Sequence, residues 1–266
     1  MEGSGVKPGV LVISHGSQER GWVDRVEETV EGVRAKLGGG VPVECSYLEL
    51  VEGRLIQDGI ERLEAQGVTD LLAIPLFVSA GSTHVDEIGW SLGAYEEPRR
   101  PTDLERCRVN ARLTYGKPIA DDPEIAEVLL DKLKESSVSS EPSKECLLLI
   151  GHGSEEPWFR EEWKRGLEGL AARMKRVGGY AGAAVALLRP EEVAERVREL
   201  RGSHPRGTAI VAVPVFVSEG YFTSSVIPKR LEGTGCRYAE GSLIPHPKVE
   251  EWIRRQASEW LESLSV

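Results

Sequence analysis

Long apolar runs are missing from this sequence. Its longest nearly apolar stretches, Leu71 to Ala80 and Thr208 to Val217, are ten residues each and both contain a proline, whereas a membrane helix needs about twenty. Met1 to Pro8 has no basic segment leading into an apolar one, so no secretory signal is expected and the expected location is cytoplasmic. An excess of positive charge is also missing: 33 Lys and Arg stand against 43 Asp and Glu, for a net charge of −10. A surface of that sign repels phosphate backbones and acidic lipids, so neither nucleic acid nor membrane is an expected partner. A polyanionic ligand would have to meet a local basic patch. Cysteine is scarce, and Cys45, Cys107, Cys146 and Cys236 include no C-x-x-C pair. Each lies in or beside a β-like run, where a buried structural thiol is expected rather than a zinc, cluster or disulfide framework.

What remains is an ordinary globular composition, 40% hydrophobic and 29% charged over 266 residues, which accommodates two domains of about 130 residues. The chain repeats itself. Gly9-Val10-Leu11-Val12-Ile13-Ser14-His15-Gly16-Ser17 returns as Leu147-Leu148-Leu149-Ile150-Gly151-His152-Gly153-Ser154. Ile74-Pro75-Leu76-Phe77-Val78-Ser79-Ala80-Gly81 returns as Val213-Pro214-Val215-Phe216-Val217-Ser218-Glu219-Gly220, and Cys107-Arg108 as Cys236-Arg237. Three echoes in one order imply a duplication. The polar, serine-rich stretch around Ser137–Lys144 reads as a linker. The expected organisation is a first domain over 1–136, the linker over 137–144 and a second domain over 145–266.

Within the first half, strand-like runs at Val10–Ser14, Val41–Leu50, Leu71–Val78 and Arg106–Leu113 alternate with helical patterns. Those patterns cover Arg20–Leu37, Arg54–Ala65, Val85–Tyr95 and Asp122–Lys134. The second half reads likewise, from Cys146–Ile150 to a last helix at Val249–Leu264. Strands apolar throughout are covered on both faces, and strand–helix alternation implies right-handed crossovers in a parallel sheet. The fold class is α/β: two similar open parallel-sheet domains with a cleft between them.

In such sheets ligands bind beyond the carboxyl ends of the strands. His15 follows the first strand, Glu49 closes the second, and His84 follows the third in a loop of small residues, Ser79-Ala80-Gly81-Ser82-Thr83. Two neutral imidazoles and a carboxylate suit a divalent transition metal better than calcium or magnesium. They also accept protons near neutral pH. By themselves these residues leave open whether a metal is cofactor or reactant.

The Ser14-His15-Gly16-Ser17 turn, Tyr47-Leu48-Glu49, and the Pro-Leu-Phe-Val-Ser-x-Gly-x-x-His loop ending at His84, in this order, resemble the sirohydrochlorin chelatases. That family comprises cobaltochelatases and ferrochelatases, and includes a long two-domain form. The resemblance implies insertion of a divalent metal into sirohydrochlorin or a related tetrapyrrole, in cobalamin or sirohaem synthesis, with Co2+ favoured and Fe2+ the second choice. It implies no organic cofactor; the metal is a substrate. Carried across, His15 binds the metal and accepts a pyrrole proton, His84 is the second metal ligand, and Glu49 contacts substrate or relays protons. The Ser79, Ala80, Gly81, Ser82 and Thr83 backbone lines the macrocycle site. Glu87 stands in the acidic place of a loop one residue shorter than the usual form. In the second half His152 survives as a structural remnant, the counterpart of Glu49 falls near Leu188, and Gly220-Tyr221-Phe222-Thr223-Ser224 aligns with His84. Tyr221 and Phe222 there offer aromatic surface to a flat ring.

Arg20, Arg54, Arg112 and Arg189, near expected strand ends, are candidates to hold substrate carboxylates. His204 and His246 have no motif behind them. Histidine phosphatases also place a histidine after a first strand, but they need an arginine just before it, and that position is Ser14 here and Gly151 in the second half. The competing reading is a cytosolic carrier that binds metal or tetrapyrrole without inserting one into the other. Two fused halves can replace the pairing of a homodimer, so a monomer is expected.

Overall fold

The structure, a computed structural model, describes residues 5–136 and 138–264. Met1–Ser4 of the segment without an expected signal, Ser137 of the expected linker and the last two residues of the expected second domain lie outside the described residues. In chain order the elements are β1 (Pro8–Ser14), α1 (Arg20–Leu37), β2 (Val43–Tyr47), α2 (Ile56–Ala65), β3 (Asp70–Pro75), α3 (Thr83–Ser91), β4 (Arg112–Tyr115) and α4 (Pro123–Glu135). They continue with β5 (Glu145–Gly153), α5 (Pro157–Gly178), β6 (Gly182–Arg189), α6 (Val193–Ser203), β7 (Ala209–Pro214), α7 (Ile227–Leu231), β8 (Arg237–Tyr238) and α8 (Pro247–Leu264). No helix among the described residues is long and apolar enough to cross a membrane.

Both sheets are parallel and share one strand order, β2-β1-β3-β4 and β6-β5-β7-β8. The repeat seen in the sequence is therefore a repeat of topology. In each sheet the order reverses beside the first strand, so loops following the first and third strands diverge to opposite faces and leave a crevice between them. In the first sheet Ile13 pairs with Pro75, which levels the carboxyl ends of β1 and β3.

Val10, Leu11, Val12 and Ile13 are fully buried, as a strand covered on both faces requires. Leu11 and Ile13 face one way, into a core with Ile56, Ile60 and Leu63 of α2 and Val85 and Ile88 of α3. Each such side chain contributes roughly 1.5–3 kcal/mol when fully buried. Val10 and Val12 point to the other face by strand alternation. That side carries α1, which buries Val26, Val30 and Val33, and α8, which packs against α1.

The compact units do not follow the order of the chain. The first comprises the chain up to Phe77, Thr83–Pro118 and the segment from Pro245 onward; the second comprises Val78–Ser82 and Ile119–Ile244. Helix α8, written last, thus completes the first sheet's unit: Lys36 pairs with Glu250 at 2.8 Å, and the Trp260 indole donates to Thr114 Oγ1 at 3.1 Å. Helix α4, written at the end of the first repeat, belongs to the second unit, where it packs against α5. The spatial units differ in this way from the 1–136 and 145–266 spans of the repeat.

Three strand expectations shift. Strand β2 stops at Tyr47, and Glu49 and Leu50 leave the ladder with Leu50 at φ +66°, an unusual conformation for a branched residue. Strand β3 ends at Pro75, which has no N–H for a ladder. The run Arg106–Leu113 is mostly not strand, because its amides bond elsewhere. The Cys107 amide donates to the Ser91 carbonyl, that of Arg108 to the Gln57 side chain, and those of Asn110 and Ala111 to Glu64. Only Arg112 onward joins β3.

Candidate functional site

Strand β1 ends in Ser14, and the chain turns at once through Gly16, which adopts φ +100°. A Cβ there would collide with the Glu49 carbonyl oxygen, so only glycine lets the loop after β2 lie against the loop after β1. The Leu48 and Glu49 amides donate to the Ser14 and His15 carbonyls at 2.9 and 3.1 Å. This places the Glu49 carboxylate 3.6 Å from His15 Nε2. The other ring nitrogen, Nδ1, lies 3.0 Å from the Gly16 carbonyl, which can only accept. The proton of the neutral ring therefore sits on Nδ1 and the lone pair on Nε2.

His84 lies in the first turn of α3. Its ring meets that of His15 edge-on, with centroids 4.7 Å apart and planes at 73°. The two imidazoles thus stand side by side at one rim of the first sheet. Phe77 flanks His84 at 6.1 Å. His84 Nδ1 donates to Glu87 Oε1 at 2.5 Å, and Thr102 Oγ1 donates to Glu87 Oε2 at 2.9 Å. Burial alone would raise the Glu87 carboxyl, but the hydrogen bonds from His84 and Thr102 outweigh it and hold the group below the usual range. Both imidazoles are a little over one-third exposed, and Glu49 is more than half exposed. Among the described residues, no group of three His, Cys, Asp or Glu side chains is arranged to hold a metal ion. The pair can thus offer two imidazole lone pairs to an ion, with a half-exposed carboxylate beside one of them.

The other expected residues are placed as follows. Ser79, Ala80, Gly81 and Ser82 group with the second unit, where a Cβ on Gly81 would strike the Phe159 carbonyl; Thr83 opens α3 in the first unit. The Ser79 hydroxyl is buried and accepts from the Gly81 amide at 2.9 Å, which stiffens the loop. Tyr221 is 70% exposed and meets Phe222 at 5.9 Å, at the start of a π-helical turn. The Phe222 ring stands edge-on to His152 at 4.9 Å. The Tyr115 hydroxyl donates to the Val85 carbonyl, and the Tyr238 hydroxyl to the Thr223 carbonyl, which makes Phe222 the spatial counterpart of His84.

The counterpart of Glu49 is Arg189, one residue beyond Leu188. Gly153 pairs with Arg189 across β5 and β6, and a Cβ on Gly153 would strike the Arg189 carbonyl just as one on Gly16 would strike that of Glu49. The acid at the first rim is a base at the second.

The candidate arginines divide. Arg54 is engaged by Glu27 and lies over the Tyr47 ring. Arg112 pairs with Asp70 at the amino end of β4, far from the carboxyl rim, because the strand begins later than expected. Arg20 is almost fully exposed with Asp24 at 4.0 Å, and Arg189 is exposed at the rim. His204 bonds the Leu200 carbonyl at the end of α6, and His246 accepts from the Lys248 amide at the start of α8, so both serve helix ends. All four cysteines are free; Cys45 and Cys146 are buried as expected, with burial raising the Cys45 thiol to about 11, while Cys107 and Cys236 are half-buried.

The CbiX family model matches residues 9–136 and 146–260. A sirohydrochlorin ferrochelatase of Bacillus subtilis (strain 168) is 29% identical over 167 residues, 62% of this chain and 57% of that protein. This chain therefore aligns with little more than half of that relative's length. A sirohydrochlorin cobaltochelatase of Methanopyrus kandleri is 27% identical over 141 residues, 48% of this chain and 95% of that one. Among solved structures, SirB from Bacillus subtilis with Fe3+ superposes with a TM-score of 0.74 at 22% identity, covering 96% of this chain and 95% of that one.

Proposed function

The chain belongs to the CbiX family, and on that footing we propose that it inserts a divalent metal into sirohydrochlorin or a closely related tetrapyrrole. The observation that carries the proposal is the meeting of His15 and His84 at 4.7 Å, each imidazole with Nδ1 committed to an acceptor and Nε2 left as the donor atom for metal. His15 Nε2 and His84 Nε2 take the ion as it sheds water. As the ion passes from it into the ring, His15 Nε2 receives a pyrrole proton and Glu49, 3.6 Å from that nitrogen, relays it to solvent; the second N–H proton leaves by the same path, so two protons are released for each divalent ion inserted. Neutral imidazole suits both tasks because it binds metal when deprotonated and stores a proton when not.

Cobalt is the favoured metal and iron the second. Nitrogen ligands hold Co2+ more tightly than Fe2+, and relatives named for each metal match this chain. Substrate contacts are assigned to the Ser79–Thr83 backbone, which leads directly into His84. In this reading the protein is a cytoplasmic monomer without nucleic-acid or membrane partners, the last two supported by its net charge of −10.

The carrier alternative predicts tight retention. A grip of two imidazoles more than one-third open to solvent instead suits an ion in transit. The test mixes purified protein with sirohydrochlorin and Co2+ or Fe2+ and follows the macrocycle's absorbance. Acceleration over the protein-free rate supports the chelatase reading; binding of both ligands without acceleration replaces it with the carrier.

A further inference from the structure

We propose that Glu87, itself held by Thr102, is a positioning residue that fixes the tautomer and direction of the His84 imidazole and touches neither metal nor macrocycle. The inference rests on the reading of His84 as a metal ligand.

Both oxygens of Glu87 are directed at protein groups. Oε1 accepts from His84 Nδ1 at 2.5 Å and Oε2 accepts from Thr102 Oγ1 at 2.9 Å. Its side chain is 19% exposed, against 54% for Glu49. With Nδ1–H committed to the carboxylate, the His84 lone pair must sit on Nε2. A carboxylate behind a metal-binding imidazole also raises the basicity of the ligating nitrogen.

The means of holding Glu87 is a strap found in one repeat only. Between α3 and β4 the chain runs for twenty residues, Leu92 to Ala111, whereas between α7 and β8 it runs for five, Glu232 to Cys236. The strap is tied back onto α3 along its length. The Arg99 amide donates to Asp86 at 2.7 Å, Ser91 Oγ donates to the Glu105 carbonyl at 2.5 Å, and the Arg106 guanidinium lies 4.4 Å from the centre of the Trp90 ring. These ties deliver Thr102 to Glu87. In the second repeat Phe222 takes the imidazole's place, and the residue three positions on is Ser225. Carboxylate and strap are present where there is an imidazole to orient and absent where a phenyl ring replaces it.

The experiment uses the full chain and reads Co2+ affinity by competition with a chelator, sirohydrochlorin affinity by absorbance, and the His84 tautomer by 15N-imidazole shifts. Glu87→Ala is expected to weaken Co2+ binding about 10–100-fold with sirohydrochlorin affinity unchanged, and to shift His84 away from the Nδ1–H form. Glu87→Gln keeps an acceptor oxygen and is expected to recover most of the affinity; Thr102→Val is expected to show a smaller loss in the same direction. The proposal is overturned if Glu87→Ala leaves Co2+ affinity and tautomer as in the wild type, if sirohydrochlorin binding is what falls, or if the glutamine variant is as impaired as the alanine one. None of these readouts requires turnover. A wild-type protein that binds both ligands without inserting metal defeats the chelatase reading alone. A His84→Ala variant with undiminished Co2+ affinity defeats the ligand assignment on which Glu87's role depends.

Discussion

Phe222 meets His152 edge-on at 4.9 Å and 82°, as His84 meets His15 at 4.7 Å and 73°. The two repeats preserve one ring-on-ring arrangement, but only the first has nitrogen on both rings. Phenyl has no lone pair to offer a metal, and the accompanying exchange of Glu49 for Arg189 reverses the local charge. His152 retains the hydrogen bond of its Nδ1 to the next carbonyl, at 3.1 Å, which is the local role of His15, but it faces a phenyl ring where His15 faces an imidazole.

One Co2+ per chain is therefore expected by equilibrium dialysis. His152→Ala should leave both the stoichiometry and the insertion rate within about a factor of two, since the ring facing His152 is a phenyl with no lone pair for a metal. A second ion lost in that variant would show that the second rim binds metal after all.

His15→Ala and His84→Ala should each lower the rate of cobalt insertion by about 100-fold or more, the first by removing a positioned proton acceptor together with a metal ligand and the second by removing the other metal ligand. Glu49→Ala should cost less, because the carboxylate is more than half exposed and water can replace a relay. Initial rates from the macrocycle's absorbance, with circular dichroism to verify folding, give the ranking. Equal losses for all three variants would contradict it.

Gly16 and Gly153 form a matched pair of tests. Each has positive φ, and at each a Cβ would strike a carbonyl oxygen of the neighbouring loop. Gly16→Ala and Gly153→Ala should both destabilise by about 1–3 kcal/mol, read as a fall in Tm. Only Gly16→Ala should also reduce insertion, because the loop it displaces carries Glu49. Similar losses of activity in both variants would mean that stability, not local geometry, limits the rate.

Much of the fold was legible because strand burial and helix periodicity are written locally. Val10–Ile13 and Leu71–Ile74 are apolar without alternation, and α1 appears at its expected bounds. The histidine pair was legible because parallel strands deliver their following residues to one rim. Other features depend on partners remote in sequence. Arg106–Ala111 has a strand-like composition, yet its amides are taken by Ser91, Gln57 and Glu64. The apolar stripe of α8 shows that it must cover a sheet, but a stripe does not say which one. Glu87 was visible as an acid in the motif, while Thr102, fifteen residues on in a strap without periodicity, gave no signal in the sequence.

Acid stability should depend on Glu145, far from any metal chemistry. Burial would raise its carboxyl, but hydrogen bonds from Ser139, the Ser140 and Glu141 amides and Arg237 outweigh this and bring it to about 2. A carboxyl lowered by folding adds stability that is fully present above its unfolded value, near 4.3. That stability is lost as pH falls from there through the folded value. Glu145→Gln should therefore cost roughly 2–3 kcal/mol at pH 7. It should also flatten the decline in Tm between about pH 5 and pH 2; an unchanged slope in that window would refute the assignment.

The placement of α8 affects how the chain is made. Ribosomes finish the first sheet's strands early, but α8, which shares one face of that unit with α1, is made only after the rest of the second repeat. Until then α1 and β3 lack their contacts with α8, and contacts such as Trp260 with Thr114 must close a loop of 146 residues. Long closures of this kind slow folding and prolong the exposure of unfinished apolar surface. A nascent chain stalled before Pro247 would hold a sheet with the whole rim sequence in place but with α1 alone on the side that α8 shares, leaving an apolar seam for a chaperone to hold.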